Sequence, residues 1–221
     1  MFKRVIHPVL LLGLVLALPI GILAVEPANL SLRKREISVY INSGNYTKDI
    51  AEAALHANKY LPRRIARGLK KGQKMAIVFD IDETALTNLP HILEHDFGYT
   101  ESIWDAWVAE GRAHAIIPVQ TVYDTAIRND VAVFFITGRK ESDRPGTERN
   151  LRDVGYEKWT EIFYKPAATQ ETSQAYKTAA RKKIEAEGYV IIANLGDQLS
   201  DLEGKHAERT FKLPNPFYLI K

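Results

Sequence analysis

The chain has 221 residues, 46% hydrophobic and 26% charged, with a net charge of +3 and no cysteine. That length suits one well-buried domain and is short for two, and the composition is that of a folded globular protein. The modest charge, with no long basic block, argues against a nucleic-acid polymer as partner, and the missing thiol excludes a cysteine nucleophile, a thiolate metal site and lipid attachment through an N-terminal cysteine.

Phe2-Lys3-Arg4 gives a basic start, and residues 9–25 are apolar apart from Gly13, Pro19 and Gly21. Residues 1–24 therefore read as a secretory signal peptide, with Ile22-Leu23-Ala24 before the cleavage point, which sends the protein to a periplasm or out of the cell. The competing reading is an uncleaved anchor, since the run is near the lower limit for crossing a bilayer; only then would the protein meet a membrane. Residues 25–45 read as a surface connection with a short extended piece at 37–41. From Tyr46 onward Ile50, Ala54, Ala57, Leu61 and Ile65 recur at helical spacing, and Pro62 is expected to kink or split that helix.

Residues 75–84, MAIVFDIDET, begin as a short apolar run and turn acidic, which predicts a buried strand over 75–79 delivering Asp80 and Asp82 at its carboxyl end. Residues 88–118, with Phe97, Tyr99, Trp104 and Trp107, read as an inserted cap with a short helix whose apolar face holds Ile103 and Trp107. A helix over 119–129 and a strand over 131–136 follow, the strand ending in Thr137-Gly138-Arg139. Pro145-Gly146 predicts a turn within 140–147, then a helix runs through Leu151. A strand over 161–164, a helix over 171–187 closed by Gly188 and a strand over 189–195 come next, the last ending in Gly196-Asp197. Pro214 and Pro216 allow 211–220 only a broken or edge strand. Strands and helices alternate, so residues 46–221 are expected to form an α/β domain: a Rossmann-like parallel sheet with helices on both faces and a small helical cap.

Three strand ends then carry chemistry: Asp80 with Asp82, Thr137, and Asp197 with Asp201. Lys177 lies on the helix before the last of them. Each residue alone is better explained as a turn, an N-cap or a solvated helix position; their joint occurrence at strand termini argues otherwise. A carboxylate that attacks phosphorus must be held ionised, and a divalent cation both orients it and neutralises the phosphate. A lysine and a hydroxyl hold the non-bridging oxygens, and a second carboxylate protonates the leaving alcohol and then activates water.

The set FDIDET, ITGR, Lys177 and GDQLSD resembles the four motifs of the haloacid dehalogenase (HAD) superfamily. Trp104-Asp105-Ala106-Trp107-Val108, Tyr176-Lys177, the run from Gly196 to Leu202 and Lys212-Leu213-Pro214-Asn215-Pro216 are similar to its exported acid phosphatase branch, subfamily IIIB, which includes plant vegetative storage proteins. The resemblance implies Asp80 as nucleophile, Asp82 as general acid and base, and Thr137, Gly138 and Lys177 around the phosphate. It further implies Mg2+ held by the Asp80 carboxylate, the Asp82 backbone carbonyl and Asp197, with Asp201 in support. Tyr99, Trp104 and Arg139 are candidate substrate contacts, although for Arg139, Arg149 and Arg181 loop bracing is the favoured role. The implied activity is phosphate monoester hydrolysis through a phospho-aspartyl intermediate, with a preference for nucleoside monophosphates or aryl phosphates. Against it stand a dehalogenase, which shares the aspartate nucleophile, and a non-catalytic storage or binding protein of the same fold.

Overall fold

A short helix, α1 (Leu30–Asn42), occupies the stretch where an extended piece was expected at 37–41. The β-branched residues there favour extended backbone locally. The helix is favoured instead by its cap, the Asn29 side chain accepting from the Leu32 amide, and by Tyr40 and Ile41 packing against the core. The computed structural model describes residues 27–166 and 171–220, so the leader read at residues 1–24 lies outside the described residues. Among the described residues no helix is long and apolar enough to cross a membrane.

Helix α2 (Asn45–Ala66) buries Tyr46, Ile50, Ala54, Ala57 and Leu61, the stripe the spacing anticipated. Pro62 does not split it: the proline falls so near the C-terminus that only the last turn follows. Strand β1 (Lys74–Phe79) leads to the insert, which comprises β2 (Leu86–Thr87), α3 (Leu89–Glu94), α4 (Glu101–Glu110) and β3 (His114–Ala115). Antiparallel pairing of Leu86 with Ala115 and Thr87 with His114 ties the two ends of the insert together.

Helix α5 (Ile117–Arg128) precedes β4 (Ala132–Lys140), which runs beyond the expected end through Thr137, Gly138 and Arg139. The turn expected at Pro145-Gly146 is instead the first turn of α6 (Arg144–Asp153). Proline, lacking an N–H, suits that position, and Gly146 is needed because a Cβ there would overlap the Val108 carbonyl of α4. The chain continues through β5 (Glu161–Lys165), α7 (Ser173–Ala186), β6 (Tyr189–Gly196), the single turn α8 (Leu199–Leu202) and β7 (Thr210–Lys212).

The strands form one parallel sheet in the order β5-β4-β1-β6-β7, with β7 at an edge, as Pro214 and Pro216 required. Alternate residues of the central strands face opposite cores. Ile77, Phe79, Val133 and Phe135 pack with α2 and α5, whereas Ala76, Val78, Phe134 and Ile136 pack with Tyr176, Ala180 and Ile184 of α7. Burial on both faces explains why these strands read as unbroken apolar runs. Each large side chain so buried stabilises the fold by roughly 1.5–3 kcal/mol.

Candidate active site

The carboxyl ends of β1, β4 and β6 converge on a pocket of about 470 Å³ roofed by the insert. Strand β1 delivers Asp80 to its floor, buried, with its amide bonded to the Leu195 carbonyl of β6. Lys177, buried on α7, donates at 2.6 Å to Asp80 Oδ1 and at 2.6 Å to Asp201 Oδ1. Burial alone would lower the lysine's pKa, but Asp80 and Asp201 outweigh it and hold the ammonium charged. Asp80 itself is pushed well above the ordinary carboxylate range by burial and by Asp201, Asp197 and Asp82, with only Lys177 opposing.

Asp80, Asp197 and Asp201 each place a carboxylate oxygen within 4.8 Å of the others. Asp201 reaches this group because position 196 is glycine; a Cβ there would overlap the Asp201 side chain. Its second oxygen accepts from the Gln198 amide at 2.8 Å. Asp197 Oδ2 accepts from Gln198 Nε2 (2.7 Å) and Asn215 Nδ2 (2.6 Å), and Oδ1 from the Thr84 hydroxyl (3.3 Å). Burial and Asp201 push Asp197 up to about 6 despite those amide bonds.

Asp82 also lines the pocket and is held by different partners. Arg139 Nη2 lies 2.7 Å from its Oδ1, and Asn88 Nδ2 donates to the same oxygen at 2.9 Å. The next residue, Glu83, has φ 52°, a backbone region that a glutamate rarely adopts. Its buried carboxylate accepts from the Asn88 amide (2.6 Å) and the Tyr218 hydroxyl (2.7 Å), which pin that turn. Burial and Asp82 raise Glu83 to about 8, with Asn88 and Tyr218 opposing.

Gly138 lines the pocket, while Thr137 is buried beneath it and its hydroxyl oxygen accepts from the Arg139 amide at 3.1 Å. Much of the remaining lining is aromatic: His91, Phe97, Tyr99 and Trp104 from the insert, Phe217 and Tyr218 from the C-terminal segment. Trp107 is buried and donates to Asn88 Oδ1, so it packs rather than lines, although Ile103 beside it is exposed. Arg181 and Arg149 brace loops: Arg181 donates to the carbonyls of Asp201, Glu203 and Lys205, and Arg149 to that of Ala109.

The sequence pointed to the charged groups here but not to Asn88, Asn215, Tyr218 or the amide of Gln198. Gln198 and Asn215 fall inside the runs from Gly196 to Leu202 and from Lys212 to Pro216, where a neutral amide carries no signal of its own, and Tyr218 lies in neither.

The acids outnumber the bases: Asp80, Asp82, Glu83, Asp197 and Asp201 line the pocket with Lys177, Arg139 and Lys165. Asp80 Oδ2 receives no protein donor among the described residues. A clustered, oxygen-only donor set with surplus negative charge fits a hard divalent cation. The sequence model of the HAD superfamily, subfamily IIIB (Acid phosphatase) matches residues 22–221. The chain belongs to that acid phosphatase family. Family membership makes this protein a phosphomonoesterase, and HAD phosphatases generally use a divalent metal.

This acid phosphatase has relatives among plant proteins. It is 36% identical over 189 residues to the Stem 28 kDa glycoprotein of Glycine max, covering 82% of this chain and 72% of that one. It is also 36% identical over 148 residues to Acid phosphatase 1 of Solanum lycopersicum, covering 65% of this chain and 58% of the tomato protein. In three dimensions it resembles the class C acid phosphatase of Bacillus anthracis solved with tungstate bound, with a TM-score of 0.71 at 22% identity over 86% of this chain and 87% of that one, a likeness of fold.

Proposed function

We propose that this protein is an exported, magnesium-dependent acid phosphatase that hydrolyses phosphate monoesters through a phospho-aspartyl intermediate. The observation that carries this reading is the buried Asp80–Lys177 pair, at 2.6 Å, beside Asp197 and Asp201. Lysine fixes one oxygen of Asp80 and leaves the other toward the pocket. That oxygen attacks phosphorus, the bond to the leaving oxygen breaks, and Asp82 gives that oxygen its proton. Asp82 then takes a proton from water, whose oxygen attacks the acyl phosphate; orthophosphate leaves and Asp80 is regenerated. Lys177, Thr137 and Gly138 bind the non-bridging oxygens, where charge accumulates.

The carboxylates of Asp80 and Asp197 and the Asp82 carbonyl, with Asp201 in support, would hold magnesium, which would supply charge neutralisation and alignment of the phosphate. Residues 46–221 make up the catalytic domain and residues 88–118 its cap. The aromatic wall suits a planar leaving group, so nucleoside monophosphates and aryl phosphates are the proposed preferred substrates. Export rests on the leader at residues 1–24 alone. The presence of Asp80, Asp82, Thr137, Lys177 and Asp197 favours an enzyme over a storage protein of the same fold, and Asp82 together with the metal-site Asp197 favours phosphate over carbon–halogen chemistry. Hydrolysis of a chromogenic aryl phosphate at mildly acidic pH, abolished by a chelator and restored by magnesium, is the expected result. No hydrolysis with magnesium present overturns the proposal.

A further inference from the structure

Phe217, Tyr218 and Ile220 line the site, and the segment 215–220 bonds to it at several points. Asn215 Nδ2 donates to Asp197 Oδ2 at 2.6 Å, and Gln198 Nε2 donates to the same oxygen at 2.7 Å. The orientation of both amides follows from what their oxygens do. Asn215 Oδ1 accepts from the Phe217 amide at 2.8 Å and faces that of Tyr218 at 3.4 Å, so its nitrogen must face Asp197. Gln198 Oε1 accepts from the Ile220 amide at 3.0 Å, and Nε2 also lies 3.4 Å from the Tyr218 carbonyl. The backbone of 217–220 thus aims two neutral donors at one carboxylate oxygen, while the other oxygen of Asp197 accepts the longer bond from the Thr84 hydroxyl at 3.3 Å. Farther along, Tyr218 bonds Glu83 beside Asp82, and Phe217 packs against Tyr46 and Phe97, which holds the segment down.

We infer that the C-terminal segment is a working part of the metal centre, with Asn215 and Gln198 as positioning residues that orient Asp197 for a divalent cation. The inference rests on the metal reading proposed above and extends it to residues that do not themselves touch metal or substrate. Partners of ligating carboxylates typically change metal affinity by about 10- to 100-fold when removed. A residue that merely staples the C-terminus would change stability alike with and without metal.

The test is titration of metal-free full-length protein with Mg2+ and with Mn2+ by calorimetry, together with melting temperatures in both states. Asn215→Ala and Gln198→Ala should each raise the half-saturating metal concentration by about tenfold or more and shrink the metal-induced rise in melting temperature. A chain ending at Phe217, which keeps Asn215 but loses the Tyr218 and Ile220 backbone groups, should show the same effect more weakly. Gln198 bonds Ile220 and Tyr218 but belongs to the β6–α8 connection rather than to the segment, so its variant decides the matter even if Asn215→Ala fails to fold. Variant half-saturation within twofold of wild type overturns this inference and leaves the metal reading standing. A wild-type protein that takes up neither ion overturns both.

Discussion

Arg139 grips Asp82 with three contacts: Nη2 at 2.7 Å from Oδ1 and Nε at 3.2 Å from each oxygen. Its guanidinium is almost wholly buried, bonds the Thr147 hydroxyl at 3.0 Å and lies over the Trp104 ring at 5.6 Å. The arginine therefore determines where the proposed proton donor points. Arg139→Ala should lower kcat by no more than Asp82→Asn does, and the double variant should be no worse than the Asp82 variant alone, because both act through one group. Arg139→Lys should rescue little, since a lysine cannot reproduce the fork. Losses that multiply in the double variant would show that Arg139 acts elsewhere, for instance on substrate.

The nucleophile can be tested without disturbing the fold. Asp80→Asn keeps size and a bond to Lys177, so it should abolish turnover while the circular dichroism spectrum stays that of wild type. Asp82→Asn should reduce kcat by about 10²- to 10⁴-fold, the usual contribution of general acid–base catalysis. Near-normal turnover by the Asp80 variant would remove the phospho-aspartyl mechanism.

Sequence reasoning reached the parallel sheet because strands buried on both faces must be apolar throughout, and Met75 to Phe79 and the run before Thr137 show it directly. It reached Asp80 and Asp197 because charges at strand ends are conspicuous against such runs, and the neutral Thr137 and the helical Lys177 through the joint pattern and the family resemblance. It missed α1, where the local preference of β-branched residues at 37–41 opposes the packing of Tyr40 and Ile41. Pro145-Gly146 misled for a related reason: the same pair that makes a turn also opens a helix, and the Val108 contact that demands glycine comes from a distant element. Asn88 was invisible because its role exists only once the turn at Asp82 and Glu83 and Trp107 of the insert close around it, and Asn215 because the C-terminal segment must first meet Asp197.

Without metal, the acid cluster should make stability depend on pH. Asp197 is raised from 3.8 to about 6 and Glu83 from 4.5 to about 8, both chiefly by burial. Between the lower and upper values the folded state keeps protons that the unfolded chain releases, so stability is greatest below the unfolded values and falls as pH rises through the window. For Asp197 the loss amounts to about 3 kcal/mol at most, at about 1.4 kcal/mol per pKa unit. The metal-free protein should therefore melt higher at pH 5 than at pH 8, and magnesium should recover more stability at pH 8, where its ligands are ionised. Calcium should support little turnover at either pH, because its longer and more variable coordination misplaces the nucleophile. A metal-free protein that melts higher at pH 8 than at pH 5 contradicts the assigned shifts.

Trp104 offers the sharpest test of substrate choice. It is half-buried in the pocket wall, in edge contact with His91 (centroids 5.7 Å apart) and with Arg139 over its ring, while Tyr99, 70% exposed, lies 6.5 Å away. Stacking of a base on such a side chain is worth roughly 1–3 kcal/mol. Nucleoside monophosphates and aryl phosphates should therefore exceed glycerol and sugar phosphates in kcat/KM, the ratio that reports discrimination. Trp104→Ala should narrow that gap by weakening the aromatic substrates, mostly through KM. Because Arg139 also rests on this ring, some loss of kcat common to all substrates is expected through Asp82, so the decisive quantity is the ratio between substrate classes. Equal kcat/KM for the two classes in wild type, or an unchanged ratio in the variant, would mean that the aromatic wall packs the cap and selects nothing.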